Sequence, residues 1–429
     1  MEAARDGAAS VDYVFLMHTG TVPSDFFFGV STAGHQVEGD NSNSDTWFLE
    51  NVEPTVFREP SGKACNSLEL WETDLDIVQG LGLEAYRFSV EWARIEPTPG
   101  TFDSRSLAHY DAMVDGCLAR GLAPVVTFNH FTAPHWFAAA GGFLAADAAE
   151  RFGRYCAVVA ETIGDRLSHA VTLNEPNLCQ LLSWLNLPPF VRELEGKTLE
   201  AAAAAADVDW YRVGNVVTPE DFAATQEGFT AGHLAAKAAI KAHRSDLPVG
   251  LSIAIVDDVA VGDDTSVRDR KRAEVYEHWL DLAKGDDFIG VQNYERRRYD
   301  ADGEVEPDAG LPRNEMGSAI EPGSLAAAVR YTYEMAGVPV LVSEHGVATA
   351  DDRLRAAVLE PALDALVGAM DDGVPVIGYM HWTLMDNFEW IFGYSKQLGL
   401  FEVDRDTFAR TPKPSAHVYA EIVSRVRAK

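Results

Sequence analysis

The sequence has 429 residues, of which 47% are hydrophobic and 24% charged, so the chain is long enough to bury a large core. Its formal net charge of −31 argues against nucleic acid or an anionic membrane as a partner, because phosphate groups would be repelled over the whole surface. We find no apolar run of the roughly 20 residues that a membrane span requires and no recognisable signal peptide. These properties predict a soluble, cytoplasmic protein.

The cysteines are few and far apart. They are Cys65, Cys117, Cys156 and Cys179, and none has the close Cys or His neighbours of a zinc site. We therefore expect reduced, buried thiols. We expect no metal and no cofactor. The sequence leaves the oligomeric state open, and a homo-oligomer is one possibility.

Short runs of β-branched and aromatic residues alternate with amphipathic helical segments along the chain. The predicted strands are 26–31, 85–90, 124–129, 170–173, 249–255, 288–291, 338–342 and 376–380. The predicted helices between them are 67–81, 106–120, 145–167, 225–244, 269–283, 324–336 and 354–372. Eight strands alternating with helices predict an α/β fold of one (β/α)₈ TIM barrel.

The domain organisation follows from this series. No linker interrupts it, so we predict one barrel domain over 23–429, preceded by an N-terminal tail over 1–22. Two long segments, 184–221 and 297–322, follow predicted strands and are expected to be irregular loops over the barrel mouth.

Polar and aromatic side chains follow nearly every predicted strand. In a barrel the carboxyl ends of the strands meet at one pocket. Carboxylates, an arginine, amides and aromatic rings around one pocket suit a sugar, whose hydroxyls take hydrogen bonds while its C–H faces stack on rings. In chain order the residues are His35, Gln36, Glu38, Arg87, Glu91, Trp92, Asn129, His130, Asn174, Glu175, Gln292, Asn293, Tyr294, Glu344, Trp382, Glu389 and Trp390.

Two glutamates follow the fourth and seventh strands, which lie across the barrel from each other. Glu175 and Glu344 can therefore face one another over a bound sugar ring. Glycoside hydrolysis needs such a pair: a separation of about 5 to 5.5 Å gives retention of configuration, and about 6.5 to 9.5 Å gives inversion. Sequence alone leaves the separation open.

Several motifs occur together and in a fixed order. They are FGVSTA at 28–33, QVEG at 36–39, YRFS at 86–89, TLNEP at 172–176, EHG at 344–346 and WTLMDNFEW at 382–390. In this order they resemble glycoside hydrolase family 1, the β-glucosidase family, over residues 23–423. The resemblance implies a retaining β-glycosidase. The first expectation is a β-glucosidase, and additional β-galactosidase or β-fucosidase activity is left open. Its substrate would be a small β-glycoside or an oligosaccharide.

The resemblance also implies roles for individual residues. Glu175 matches the general acid/base and Glu344 the nucleophile. Arg87 and Tyr294 match the partners that keep the nucleophile ionised. The substrate-binding positions of the family correspond to Gln36, His130, Asn174, Trp382, Glu389 and Trp390. Because a carboxylate at Glu389 would repel a phosphate, the family pattern points to unphosphorylated sugars.

The chain also departs from the family pattern. The usual Asn-Tyr-Tyr is Gln292-Asn293-Tyr294 here, and His345 stands beside the nucleophile, where it could add a titratable group. Ser318 stands where the family has a tryptophan that walls the leaving-group site, so we predict a wider, less aromatic aglycone subsite. The basic run 296–298 near the same rim either is ion-paired or favours an anionic aglycone.

Three other functions are compatible with a barrel. A transglycosylase would use an acceptor sugar in place of water, and a non-catalytic glycan-binding barrel would lack one of the two glutamates. A metal-dependent hydrolase would need His-x-His after the first strand, where this chain has only His35.

Overall fold

The structure is a computed structural model that describes residues 22–185 and 188–428. The predicted tail, 1–22, lies outside the described residues apart from Val22, so its boundary with the barrel domain stays a prediction.

The strands are numbered here in chain order. They are β1 (Phe27–Ser31), β2 (Ala85–Ser89), β3 (Ala123–Thr127), β4 (His169–Asn174), β5 (Val249–Ala254), β6 (Asp257–Ala260), β7 (Phe288–Asn293), β8 (Arg296–Asp300), β9 (Gly303–Val305), β10 (Val340–His345), β11 (Val376–Trp382), β12 (Phe401–Val403) and β13 (Arg410–Pro412). Eight of them close into a parallel barrel in the order β1, β11, β10, β7, β5, β4, β3, β2. All eight predicted strands are therefore confirmed, and so is the (β/α)₈ class.

The barrel strands are buried on both faces, which is why they read as continuous apolar runs in the sequence. Their outward side chains pack under the surrounding helices. Inward side chains from seven strands form a separate cluster inside the barrel: Phe27, Ala85, Val125, Val171, Phe288, Leu341 and Met380. This interior is packed with side chains, as in other barrels of this class.

The α-helices lie outside the barrel and in the loops above it. They are α1 (Gly34–Val37), α2 (Asp45–Glu50), α3 (Ser67–Gly80), α4 (Trp92–Ile95), α5 (Ser104–Ala119), α6 (His135–Ala139), α7 (Ala148–Ile163), α8 (Leu178–Ser183), α9 (Pro189–Ala205), α10 (Phe222–His243), α11 (Ser266–Arg272), α12 (His278–Ala283), α13 (Ser324–Ala336), α14 (Asp352–Asp371) and α15 (Pro414–Arg427). Short 3₁₀ turns occur at Gly142–Leu144, Gly164–Arg166, Pro219–Asp221 and Trp390–Phe392, and a π-helical turn, Ala273–Glu277, joins α11 to α12. Each of the seven predicted helices overlaps an observed one.

The two long segments that we expected to be irregular are partly regular. Segment 184–221 contains α9, because its alanine run favours a helix and its buried face, including Leu199 and Ala202, packs against Leu49 and other apolar side chains. Segment 297–322 contains most of β8 and all of β9, which extend β6 into a three-stranded sheet. In the hairpin between β8 and β9, the Asp300 carboxylate accepts hydrogen bonds from the backbone amides of Asp302 and Gly303.

Over residues 22–185 and 188–428, we find no helix that is both long enough and apolar enough to cross a membrane.

Candidate active site

The Glu344 carboxylate is held by three side chains, one from β2 and two from the carboxyl end of β7. Arg87 on β2 donates from Nη1 to Oε1 at 2.7 Å, and Gln292 on β7 donates from Nε2 to the same oxygen at 2.8 Å. The Tyr294 hydroxyl donates to Oε2 at 2.6 Å. Glu344 is 4% exposed and Arg87 is completely buried, so this charge pair lies out of contact with bulk water.

Burial and pairing act in opposite directions on Glu344. Burial raises the pKa of this carboxyl, while the Arg87 charge and the hydrogen bonds from Tyr294 and Arg87 oppose the rise by favouring the ionised form. The partners predicted from the sequence, Arg87 and Tyr294, are therefore in contact with Glu344.

Glu175 follows β4 and has an unusual backbone. Its φ of 45° is in the left-handed region, which is uncommon for a residue with a Cβ, and its amide donates to the Ser252 carbonyl at 2.7 Å. Burial, followed by the negative charge of Glu344, raises the pKa of Glu175 well above its ordinary value, with Arg87 opposing. The two carboxyls therefore interact electrostatically, and within the described part of the chain Glu175 has no hydrogen-bonded cation to hold it ionised.

Asn174 and His130 form one polar side of the site. Arg87 donates from Nη2 to Asn174 Oδ1 at 2.5 Å, and Asn174 Nδ2 lies 3.2 Å from His130 Nε2. Because an amide nitrogen only donates, His130 Nε2 accepts and the ring hydrogen lies on Nδ1, which is buried without a protein partner among the described residues. Burial, followed by the Arg87 charge, lowers the pKa of His130 well below its ordinary value, so the ring is neutral.

Gln36 and Glu389 form a second polar group. Gln36 Nε2 donates to the Phe388 carbonyl at 2.7 Å and to Glu389 Oε2 at 3.2 Å, while its Oε1 is buried without a partner in the described part of the chain. Burial, together with the charge of Glu344, raises the pKa of Glu389 to about 8. Both residues thus present unused hydrogen-bonding capacity.

Two indole rings flank His130. The ring of Trp382 is stacked on His130 with centroids 5.7 Å apart, and Trp390 is stacked on it at 6.0 Å. His35 also stacks on Trp390, with centroids 5.8 Å apart, and its Nε2 lies 2.8 Å from Glu50 Oε1, so His35 supports the Trp390 ring. This arrangement supplies flat apolar faces next to polar groups, as a sugar requires.

Ser318 contacts Glu295, the residue that follows Tyr294 in the chain. Its hydroxyl donates to Glu295 and accepts from Arg297 Nη2 at 3.2 Å, and the residue is 6% exposed. Arg297 also pairs with Glu304 at 2.6 Å, so the rim here is a charged cluster. The wider aglycone subsite predicted at Ser318 stays a prediction.

The basic run beside this rim is ion-paired. Arg296 pairs with Asp257 and Glu321, and Arg298 pairs with Glu321. Of the two interpretations of residues 296–298, the structure supports ion pairing over an anionic aglycone site.

His345 does not act as the titratable group that we considered. It is 4% exposed, its Nδ1 lies 2.9 Å from the Tyr379 hydroxyl, and burial lowers its pKa to about 4. The ring is therefore neutral over the pH range in which most hydrolases work. Tertiary burial, which a sequence motif does not report, explains the difference.

The site residue that sequence reasoning left without a role is Gln292. It appeared among the polar residues at the strand ends and as a departure from Asn-Tyr-Tyr, yet its amide contacts both Glu344 and Asn174. The signal available was its position at the end of β7, two residues before Tyr294. Among the described residues, no group of three or more His, Cys, Asp or Glu side chains could hold a metal ion.

With this geometry established, comparison with known proteins identifies the family. The sequence model of glycosyl hydrolase family 1 matches residues 18–205 and 277–427. The chain belongs to glycosyl hydrolase family 1. This membership and the barrel confirm the predicted family, fold and enzyme class, a glycoside-cleaving hydrolase, and they do not favour a non-catalytic barrel.

Relatives within family 1 match over nearly their whole length. A β-glucosidase of Agrobacterium sp. is 31% identical, covering 94% of this chain and 95% of the relative. A bifunctional β-D-glucosidase/β-D-fucosidase of Bifidobacterium breve is 29% identical, covering 94% and 98%. The crystal structure of β-glycosidase BGL167 superposes with a TM-score of 0.89 at 43% identity, covering 94% of this chain and 97% of that one.

Proposed function

We propose that this member of family 1 is a retaining β-glucosidase that cleaves terminal β-D-glucosyl groups and also accepts β-D-fucosides. The observation that carries the proposal is the asymmetry between two interacting carboxyls. Glu344 accepts hydrogen bonds from Arg87 and Tyr294, whereas Glu175 is half-buried, has no such partner among the described residues, and has its pKa raised first by desolvation and then by the Glu344 charge. One carboxyl is suited to attack and the other to hold a proton.

In the first step Glu344 attacks the anomeric carbon. The new bond forms between a Glu344 carboxylate oxygen and that carbon, the bond from the carbon to the leaving oxygen breaks, and the proton of Glu175 passes to that oxygen. Because Glu344 Oε1 accepts two hydrogen bonds and Oε2 accepts one, Oε2 has the freer lone pair for attack.

In the second step water replaces the departed group. Glu175, now ionised, removes a proton from the water, whose oxygen attacks the anomeric carbon, and the bond to Glu344 breaks. Two inversions at the same carbon give net retention. An acceptor sugar in place of water would give transglycosylation by the same groups.

The sugar itself is proposed from the polar groups around the two carboxyls. Gln36 Oε1 and His130 Nδ1 have no partner among residues 22–185 and 188–428, and Glu389 lies beside Gln36, so we infer that hydroxyls of a sugar satisfy these groups. We place Trp382 and Trp390 as the apolar faces of this subsite. Above the pKa of about 8 of Glu389, a phosphate beside this carboxylate would meet like charge, which disfavours phosphorylated sugars. The named activity of the Bifidobacterium breve relative supports including fucosides.

A panel of 4-nitrophenyl β-D-glycosides with glucose, galactose, fucose and 6-phosphoglucose tests this proposal. We expect release of nitrophenol from the glucoside and the fucoside and none from the 6-phosphoglucoside. Glu344→Gly should be inactive alone and regain turnover with azide, yielding the α-glycosyl azide, because azide enters from the face that the carboxylate has left.

A matched control is Glu402→Gly, which removes an exposed carboxylate on β12 and should behave as wild type. Absence of turnover by wild type on every β-glycoside of the panel would refute the proposed function. A β-azide product, or no azide rescue in a folded Glu344→Gly protein, would refute the role of Glu344.

We also propose that the enzyme works in the cytoplasm. Four free, buried thiols, Cys65, Cys117, Cys156 and Cys179, are what a reducing compartment favours. Fractionation of source cells tests the location. The homo-oligomer stays a prediction that light scattering on the purified chain would test.

A further inference from the structure

Four side chains at the centre of the site form a closed ring of hydrogen bonds. Two of them are acceptors: Glu344 through Oε1 and Asn174 through Oδ1. Arg87 donates to both, at 2.7 and 2.5 Å, and Gln292 donates to both from its single amide nitrogen, at 2.8 and 2.7 Å. Both hydrogens of Gln292 Nε2 are therefore used inside the ring.

Chemistry determines which way the Gln292 amide faces. A guanidinium can only donate, so the Asn174 atom that meets Arg87 is its oxygen. Gln292 then faces two acceptors, the Asn174 oxygen and the Glu344 carboxylate, and must present nitrogen to both. The amide oxygen, Gln292 Oε1, is consequently directed away from the ring.

Gln292 Oε1 has no protein partner in the described part of the chain, although the residue is only 1% exposed. A buried carbonyl oxygen is costly without a donor, and such atoms in native proteins commonly mark the place of a ligand or water. Two other buried, unpartnered atoms in the site, Gln36 Oε1 and His130 Nδ1, belong to residues expected to bind sugar hydroxyls. Gln292 also has a buried, unpartnered polar atom, but no individual role in sugar binding was expected for it from the sequence.

We propose that Gln292 is a specificity-determining residue of the sugar subsite, whose Oε1 accepts the hydrogen of the hydroxyl at C2. This inference rests on the proposed function. The amide nitrogen of Gln292 donates to both Glu344 Oε1 and Asn174 Oδ1. Because Glu344 must reach C1 of the sugar, the hydroxyl on the neighbouring carbon, C2, is the sugar donor nearest to the Gln292 amide. The 2-oxygen then accepts from Asn174 while its hydrogen goes to Gln292.

The substrate class follows from this contact. β-Glycosides with a free hydroxyl at C2, such as glucosides and fucosides, satisfy Gln292 Oε1. A 2-deoxy sugar leaves it buried and unsatisfied, and a 2-acetamido sugar adds bulk where the amide stands. The enzyme should therefore discriminate at C2 through a residue on β7, in addition to any contact from Asn174.

The test compares 4-nitrophenyl β-D-glucoside with its 2-deoxy analogue on wild type and on Gln292→Met, a change that keeps volume and removes both polar atoms. Loss of support for Glu344 should slow both substrates. Loss of the C2 contact should slow only the glucoside, so we expect kcat/KM to fall about 100-fold for the glucoside and about 10-fold for the 2-deoxyglucoside.

The matched control is Gln79→Leu, which removes an exposed amide on α3 and should leave the ratio of the two substrates unchanged. Equal losses on both substrates would overturn the inference, since they would mean that Gln292 acts only through Glu344. If Gln292→Met does not fold, Gln292→Asn provides the same comparison. The shorter amide cannot contact Glu344 Oε1, Asn174 Oδ1 and the hydroxyl at C2 of the sugar at the same time. Activity of wild type on the glucoside tests the proposed function separately. Failure of the β-glucosidase proposal can therefore be distinguished from failure of the inference about Gln292.

Discussion

Removing the Tyr294 hydroxyl should raise the pH at which activity begins to fall on the acid side. The hydroxyl donates to Glu344 Oε2 at 2.6 Å, and this hydrogen bond lowers the pKa of a carboxyl that burial raises. Tyr294→Phe keeps the ring and deletes only that donor. Arg87 remains in place, so Glu344 still has a paired charge.

The expected size follows from the strength of the lost bond. A hydrogen bond to a charged group contributes about 1.5 to 3 kcal/mol, and one pKa unit corresponds to about 1.36 kcal/mol. The pKa of Glu344 should therefore rise by about 1 to 2 units. Because the ionised form attacks, activity is present above this pKa and lost as pH falls through it, so the acid limb moves to higher pH.

The measurement is kcat/KM for 4-nitrophenyl β-D-glucoside across pH, which reports the free enzyme. Tyr333→Phe on α13 is a matched control that removes a tyrosine hydroxyl from the outer helices and should leave both limbs in place. An unchanged acid limb in folded Tyr294→Phe would refute the reasoning, because it would mean that Glu344 is not the group titrating there.

Three further changes have expected outcomes. Lys271→Met should lower the free energy of unfolding by about 3 to 5 kcal/mol, because it removes the buried amine that pairs with Asp258 and leaves that carboxylate only the Tyr276 hydroxyl and the charge of Arg272. His345→Gln should leave the limbs of the pH profile unchanged between about pH 5 and 8, since the pKa of this histidine is about 4 and it is neutral throughout. Gly346→Ala should lower kcat/KM by about 100-fold, because its Cβ would lie 2.2 Å from the Trp382 carbonyl oxygen.

Each of these has a control or a contrary result. Denaturant unfolding of Lys284→Met, at a solvent-exposed pair, should show a change below about 1 kcal/mol, and an equal change in Lys271→Met would contradict the buried-charge argument. A shifted limb in His345→Gln would mean that this ring is charged near neutral pH. Wild-type kinetics in Gly346→Ala would show that the turn after β10 can move away from Trp382 without effect.

Much of the fold could be predicted because it depends on local pattern. Apolar runs such as 85–90 and 249–255 are buried on both faces, and the segments between them carry helical spacing, so strand and helix order followed directly. The expected loops 184–221 and 297–322 were less regular in pattern. The helix is stabilised by packing against distant apolar residues and the hairpin by pairing with β6, and spacing along the sequence reveals neither contact.

The barrel class, the family and the residues expected at the strand ends could be predicted before folding was considered, because these depend on periodicity and on motifs within single segments. Which atoms meet depends on how distant segments pack together. Gln292 and Asn174 are 118 residues apart, yet one hydrogen bond joins them and leaves a carbonyl oxygen unpartnered. Burial in the folded chain keeps His345 neutral. Folding also brings the Ser318 hydroxyl into hydrogen-bonding contact with Glu295. Hydrogen-bond partners and pKa values depend on neighbours brought together by folding, and no local stretch of sequence contains them.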